Sequence, residues 1–180
     1  MKTDILCPAG NENELAVFAA KLGFYEIIFL YQDLKAKPDL SFSSKLRLRK
    51  GVLVRSVNDV SAAKSRFDFV FAPAERPFFE SRSVDFVVDA EQASPGKDFF
   101  YQRRAGLDDP MCKLAKERNI RVVFNAGFSE DSTLLGRMSQ NAALCRKHKV
   151  GFLVATFARD AFGMRAPKDL DGLARVLRLV

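Results

Sequence analysis

An α/β protein with parallel strands is the fold class this sequence predicts, and three observations predict it. Short apolar runs alternate with helix-period segments from one end of the chain to the other. Several of those runs (IIFL, FDFVF, VVF) are apolar on both alternating faces, as in strands of a sheet covered on both sides. Some seven strand candidates follow one another without a break in the rhythm, which argues for right-handed parallel crossovers. Such a set closes as an irregular (β/α) barrel or stays open as a doubly wound sheet. The GxGxxG fingerprint of the dinucleotide-binding sheet is absent. The expectation is a compact barrel occupying residues 1–180 as a single domain, smaller than the ~250 residues of the eight-unit form.

Asp4–Leu6 reads as the first strand, and CPAGNEN turns it into a helix over Asn11–Leu22, opened by Asn11 and closed by Gly23. Strands at Glu26–Leu30 and Val52–Val54 flank a surface loop, Gln32–Ser44. A helix over Asn58–Arg66 leads into a strand over Phe67–Phe71. Phe78–Phe79, after ERP, lie in a short helix or loop that packs under the barrel or forms an apolar docking patch. A strand at Val84–Val88 precedes a second loop, Glu91–Lys97. Helix Pro110–Asn119, strand Ile120–Phe124, helix Leu134–Lys147, strand Phe152–Ala155 and helix Leu170–Leu177 complete the series.

With 48% hydrophobic and 28% charged residues, the 180-residue chain has the composition of a globular domain. No run approaches ~18 apolar residues, so no transmembrane helix is expected. The opening MKTDILCPAG does not resemble a signal peptide, and a cytoplasmic location is expected. Cys7, Cys112 and Cys145 are far apart and odd in number, which suggests buried free thiols and neither a disulfide framework nor a zinc site.

Catalytic groups are scarce. The single histidine, His148, sits in RKHKV at a helix end, reads as a surface residue, and has no GxSxG elbow to accompany it. Asp89 and Glu91 follow one strand and Asn125 follows another, a set able at most to hold Mg²⁺ weakly through waters. No catalytic residue, no metal ligand and no protein-bound cofactor is therefore assigned.

The basic residues say more. Residues 1–98 hold 14 Lys/Arg against 14 Asp/Glu, and residues 99–180 hold 15 against 8, so the net charge of +7 belongs to the C-terminal part. Such asymmetry suits a polyanionic partner. Arg103, Arg104, Lys113, Arg137, Arg146, Lys147, Arg159, Arg165 and Lys168 are the candidate phosphate contacts, because guanidinium forks grip phosphate oxygens and Lys adds point charge. The helix dipole explains Arg146 and Lys147 equally well. Of Phe99, Phe100 and Tyr101, beside Arg103, Tyr101 is the one expected to reach RNA.

Four stretches carry a resemblance: YQRRAGLDDPMCKLAKERNI, LLGRMSQNAALCRKHKV, FLVATFA and MRAPKDLDGLARVL. Over residues 99–180, and loosely over 67–98, the chain resembles archaeal ribonuclease P protein component 3, the counterpart of the human thirty-kilodalton ribonuclease P subunit. Ala166 stands where Ser is common in that family. The resemblance implies an irregular TIM-like barrel related to the polymerase and histidinol phosphatase superfamily. It also implies binding of ribonuclease P RNA, pairing with protein component 2, and support for removal of the 5′ leader from precursor tRNA. The RNA with its Mg²⁺ would carry the chemistry, and this chain would be a non-catalytic subunit. Two alternatives remain: a metal-dependent phosphoesterase using Asp89 and Glu91, and an assembly scaffold docking a partner through Phe78 and Phe79.

Overall fold

A computed structural model describes residues 2–36, 45–93, 96–98, 100–101, 103–127 and 131–180. Phe99 and parts of both expected surface loops lie outside the described residues. Seven strands form one sheet in which each pairs in parallel with its neighbour in chain order: β1 (Thr3–Leu6), β2 (Glu26–Tyr31), β3 (Arg47–Leu53), β4 (Phe69–Pro73), β5 (Phe86–Val88), β6 (Arg121–Asn125) and β7 (Phe152–Ala155). The helices are α1 (Glu12–Leu22), α2 (Val60–Lys64), α3 (Arg76–Glu80), α4 (Asp109–Glu117), α5 (Ser132–His148) and α6 (Pro167–Val176).

The sheet closes on itself just beyond β7. Phe157 N–H donates to the Ile5 carbonyl and Cys7 N–H to the Ala158 carbonyl, both at 2.9 Å, and Leu6 bridges Ala158 in parallel. Asp4, fully buried, locks this seam. Its carboxylate accepts from Thr156 N–H (2.7 Å), Thr156 Oγ1 (2.8 Å) and Ile5 N–H (2.8 Å).

Period-2 alternation divides the core in two. Ile5, Ile28, Leu30, Phe71, Phe86, Val88, Val123 and Leu153 fill the barrel interior. Leu6, Phe29, Val70, Val87, Phe124 and Val154 face outward and pack against helix residues such as Leu15, Met138 and Ala174. The double-sided apolar runs are the sequence trace of this arrangement. In the interior Phe71 and Phe86 stack with centroids 4.7 Å apart. Gly51 makes room for them, since a Cβ there would stand 2.6 Å from the Phe71 ring.

One expectation is corrected, and one pair of alternatives is decided. β3 begins five residues before Val52, because Arg49 reaches Glu26 (3.5 Å) and Asp68 (3.5 Å) and Lys50 N–H donates to Asp68 (2.8 Å). Charged residues at that end of the strand are solvated and paired. Phe78 and Phe79 belong to α3 and are buried in the outer core, so they form no docking patch. The scaffold alternative loses its surface.

Candidate nucleic-acid interface

Because all seven strands are parallel, every loop that follows a strand emerges at the same end of the barrel. Barrel sites are built there. The loop from β5 to α4 brings Asp98, Phe100, Tyr101, Arg103 and Arg104 to this rim, and the loop from β7 to α6 brings Arg159, Phe162 and Arg165. Lys168 stands in the first turn of α6.

The β5–α4 loop is held by α5. Arg137 donates from Nε to Asp98 Oδ1 (2.8 Å), from Nη1 to the Glu91 carbonyl (3.3 Å) and from Nη2 to the Gly96 carbonyl (2.6 Å). One turn on, Asn141 donates to the Ala105 carbonyl (2.6 Å) and accepts from Leu107 N–H (3.4 Å). Asp98 also accepts from Arg104 N–H (3.0 Å) and lies 3.6 Å from Arg103 Nη1. The Arg104 bond first, then Arg137 and Arg103, hold the Asp98 carboxyl below its ordinary value. Arg103 lies against the bare backbone at Gly136, where a Cβ would meet its Nη1 at 2.2 Å. The GRM and QNA of the sequence motif are thus loop anchors.

This removes Arg137 from the candidate phosphate contacts. It is 7% exposed and spends its guanidinium on the loop, so no ligand phosphate reaches it in this fold. The remaining candidates divide between two places. Arg103, Arg104, Arg159, Arg165 and Lys168 share the rim, with Lys113 exposed on α4. Arg165 bonds the Phe162 and Met164 carbonyls from one nitrogen, both at 3.2 Å, which fixes the stem of its side chain. Arg146 and Lys147 stand in the last turn of α5, beyond which the chain enters the opposite end of the barrel. Arg146 Nη1 caps the Leu177 (2.8 Å) and Arg178 (3.1 Å) carbonyls, and Lys147 pairs with Asp109 (2.6 Å). His148 is tucked against the same Asp109, not free on the surface. The Lys147 and His148 contacts lower the Asp109 carboxyl.

Aromatic rings complete the rim. Phe100 and Tyr101 are 93% and 95% exposed and meet edge to face at 4.8 Å. Phe162, 93% exposed in the AFG turn, was not singled out from the sequence. An aromatic flanked by Arg159, Asp160, Gly163 and Arg165 was the available signal. Exposed rings interleaved with cations are the composition of a single-strand nucleic-acid platform.

The barrel mouth offers little to a metal. Asp89 takes a left-handed conformation (φ 55°), and burial raises its carboxyl against the opposing pull of Arg55. Glu91 is 2% exposed, pushed up to about 7 by burial, and its Oε2 has no hydrogen-bond partner. Asn125 Oδ1 is occupied by Gly127 N–H (2.8 Å). Among the described residues no three of His, Cys, Asp and Glu come together as a metal site. The thiols of Cys7 and Cys112 are pushed up to about 11, and that of Cys145 to about 12, each mainly by burial. They are inert at neutral pH. No helix among the described residues is long and apolar enough to cross a membrane.

No family model matches the chain, and no curated protein does. Solved structures do resemble it. A chain in the cryo-EM structure of archaeal ribonuclease P with mature tRNA superposes with a TM-score of 0.78 at 18% identity, over 98% of this chain and 82% of that one. The histidinol phosphate phosphatase of Lactococcus lactis, crystallised with zinc, L-histidinol and phosphate, gives 0.65 at 12% identity, over 98% and 92%. At these identities the likeness establishes the fold: this chain is an irregular TIM-like (β/α) barrel, built like a chain of that ribonuclease P complex and like the phosphatase.

Proposed function

We propose that this chain is a protein subunit of ribonuclease P that binds the ribonuclease P RNA and supports removal of the 5′ leader from precursor tRNA. The observation that carries the reading is the superposition of 98% of this chain on a chain of archaeal ribonuclease P. The motif resemblance over residues 99–180 and the cation-and-aromatic rim support it. Arg103, Arg104, Arg159, Arg165 and Lys168, with Lys113 on α4, contact phosphates, and Phe100, Tyr101 and Phe162 stack on unpaired bases. Protein component 2 is the protein partner, and the RNA with its Mg²⁺ does the cleavage.

Reconstitution tests the reading. Precursor-tRNA cleavage assembled with and without this chain should differ, with the complete assembly faster; equal rates would refute the subunit role. Arg165→Ala with Lys168→Ala should weaken RNA binding uniformly across sequences and reduce the salt slope by about 1 to 2, since each lost phosphate contact removes ~0.7–0.9. An unchanged slope would remove these two residues from the interface.

The phosphatase superposition favours a second reading, a phosphoesterase using Asp89 and Glu91. The burial of Glu91 counts against it. Metal-dependent hydrolysis of a phosphoester by the purified chain, abolished by Asp89→Ala, would establish it.

A further inference from the structure

The end of the barrel away from the rim carries a groove of about 760 Å³ between the C-terminal ends of α4 and α5, the starts of β6 and β7, and Leu179. Among the described residues its lining holds four cations, Lys116, Arg121, Arg146 and Lys149, and no acidic residue. The floor is apolar, with Ile120, Val150 and Phe152 among the lining. Arg121 lies over the Phe86 ring with Cζ 4.2 Å from its centroid, and Gly151 leaves the space its stem occupies, since a Cβ there would meet Arg121 Cγ at 2.9 Å. Arg146 is tethered by one nitrogen to two carbonyls, so its guanidinium is oriented rather than neutralised.

At Lys149, which lines the groove, charge is placed against local backbone preference. Four helices end in the same cap, a left-handed residue followed by an apolar one whose N–H returns five residues: Phe24 to Ala19 (3.1 Å), Ile120 to Ala115 (2.9 Å), Val150 to Cys145 (2.9 Å) and Leu179 to Ala174 (2.8 Å). Glycine suits the left-handed position, with asparagine next. α1 uses Gly23 and α4 uses Asn119, but α5 uses Lys149 (φ 54°) and α6 uses Arg178 (φ 55°). A cation held where glycine would be unstrained is the kind of outlier found at binding sites. The helix dipole would be served equally by a Lys one residue earlier, in relaxed geometry.

We propose that this groove grips the sugar–phosphate backbone of RNA, so that the chain holds RNA at both ends of its barrel. The proposal rests on the RNA-binding reading above. Four cations with no interspersed acid favour a polyanion, and two guanidinium forks suit phosphate oxygens. The 17 residues of α5 separate groove from rim by about 25 Å. One folded RNA covers that distance and presents phosphates at both ends.

The test is equilibrium binding of the full chain to ribonuclease P RNA across a salt series. Lys116→Ala with Lys149→Gly should weaken Kd roughly tenfold near 0.15 M salt and lower the salt slope by about 1 to 2. Lys149→Gly alone should weaken binding while raising the melting temperature, a combination that misfolding cannot produce. Wild-type Kd and slope in the groove pair, alongside weakened binding by Arg165→Ala with Lys168→Ala, would overturn the groove and leave the subunit reading standing. Absence of RNA binding by the unsubstituted chain would overturn both. Displacement of RNA from the groove by polyglutamate of equal charge would reassign it to an acidic protein segment and overturn the RNA proposal.

Discussion

Two polar side chains on the buried face of α5, Arg137 and Asn141, order a loop that supplies much of the candidate interface. Between them they donate to carbonyls of Glu91, Gly96 and Ala105 and accept from Leu107 N–H. Buried polar groups so satisfied specify one loop conformation, and removing one partner strands the others. Arg137→Ala is therefore expected to cost about 3 kcal/mol of stability, and Arg137→Lys most of that, because an ammonium cannot reproduce three directed bonds. Limited proteolysis should show new cleavage near Tyr101 and Arg103 in both variants; an uncut loop with unchanged melting would refute the anchoring role. The residue types in GRMSQNA were visible in the sequence, and so was their charge. Their direction was not: a cation near the start of an amphipathic helix looks the same whether its partner is a ligand phosphate or a carbonyl 41 residues earlier.

At the scale of elements, the strand and helix rhythm was legible because burial on both faces of a closed sheet leaves runs such as IIFL and VVF. β7 falls at the expected bounds, and the others shift mainly at their ends. β3 is the exception. Its first half, RLRK, looks like loop because its charges belong to the solvated end of the barrel opposite the rim, where Arg49 pairs with Glu26 and Asp68. The residue that marks β3 as an interior strand is Gly51, which the Phe71 ring requires to be small. Gly51→Ala should overpack the interior and cost about 2 kcal/mol, lowering the melting temperature by roughly 4–8 °C. A thermal melt decides it, and an unchanged midpoint would mean that the Phe71–Phe86 stack yields freely.

For the molecule as a whole, the charge count located an excess in residues 99–180 but could not say that the fold divides it between two ends. That division follows from parallel strands, which send Arg159 and Arg165 to one end and Lys149 to the other. Nor did composition disclose the buried carboxylates, although a lone Asp inside the apolar TDIL was a signal for the seam at Asp4. These acids set the pH response. Burial pushes Asp4 up to about 6 from 3.8, despite bonds from Thr156 and Ile5, and Glu91 up to about 7 from 4.5, with the Asp89 charge adding to it. Above pH 7 both are ionised in the folded and the unfolded chain, and the folded state bears the full cost of burying them. As pH falls through 7 and then 6, the folded protein takes up protons that the unfolded chain accepts only near 4.5 and 3.8. Stability therefore rises on mild acidification, each group contributing on the order of 3 kcal/mol over its full window. Asp98 and Asp109 are lowered and act in the opposite sense, but their contribution is lost only as pH drops below about 4. Melting temperature should thus be several degrees higher at pH 5 than at pH 7.5. Glu91→Gln should raise it at pH 7.5 and flatten the profile between the two. A wild-type midpoint that falls steadily from pH 7.5 to 5, or a Glu91→Gln profile parallel to it, would show that these carboxyls are not the groups that set the response.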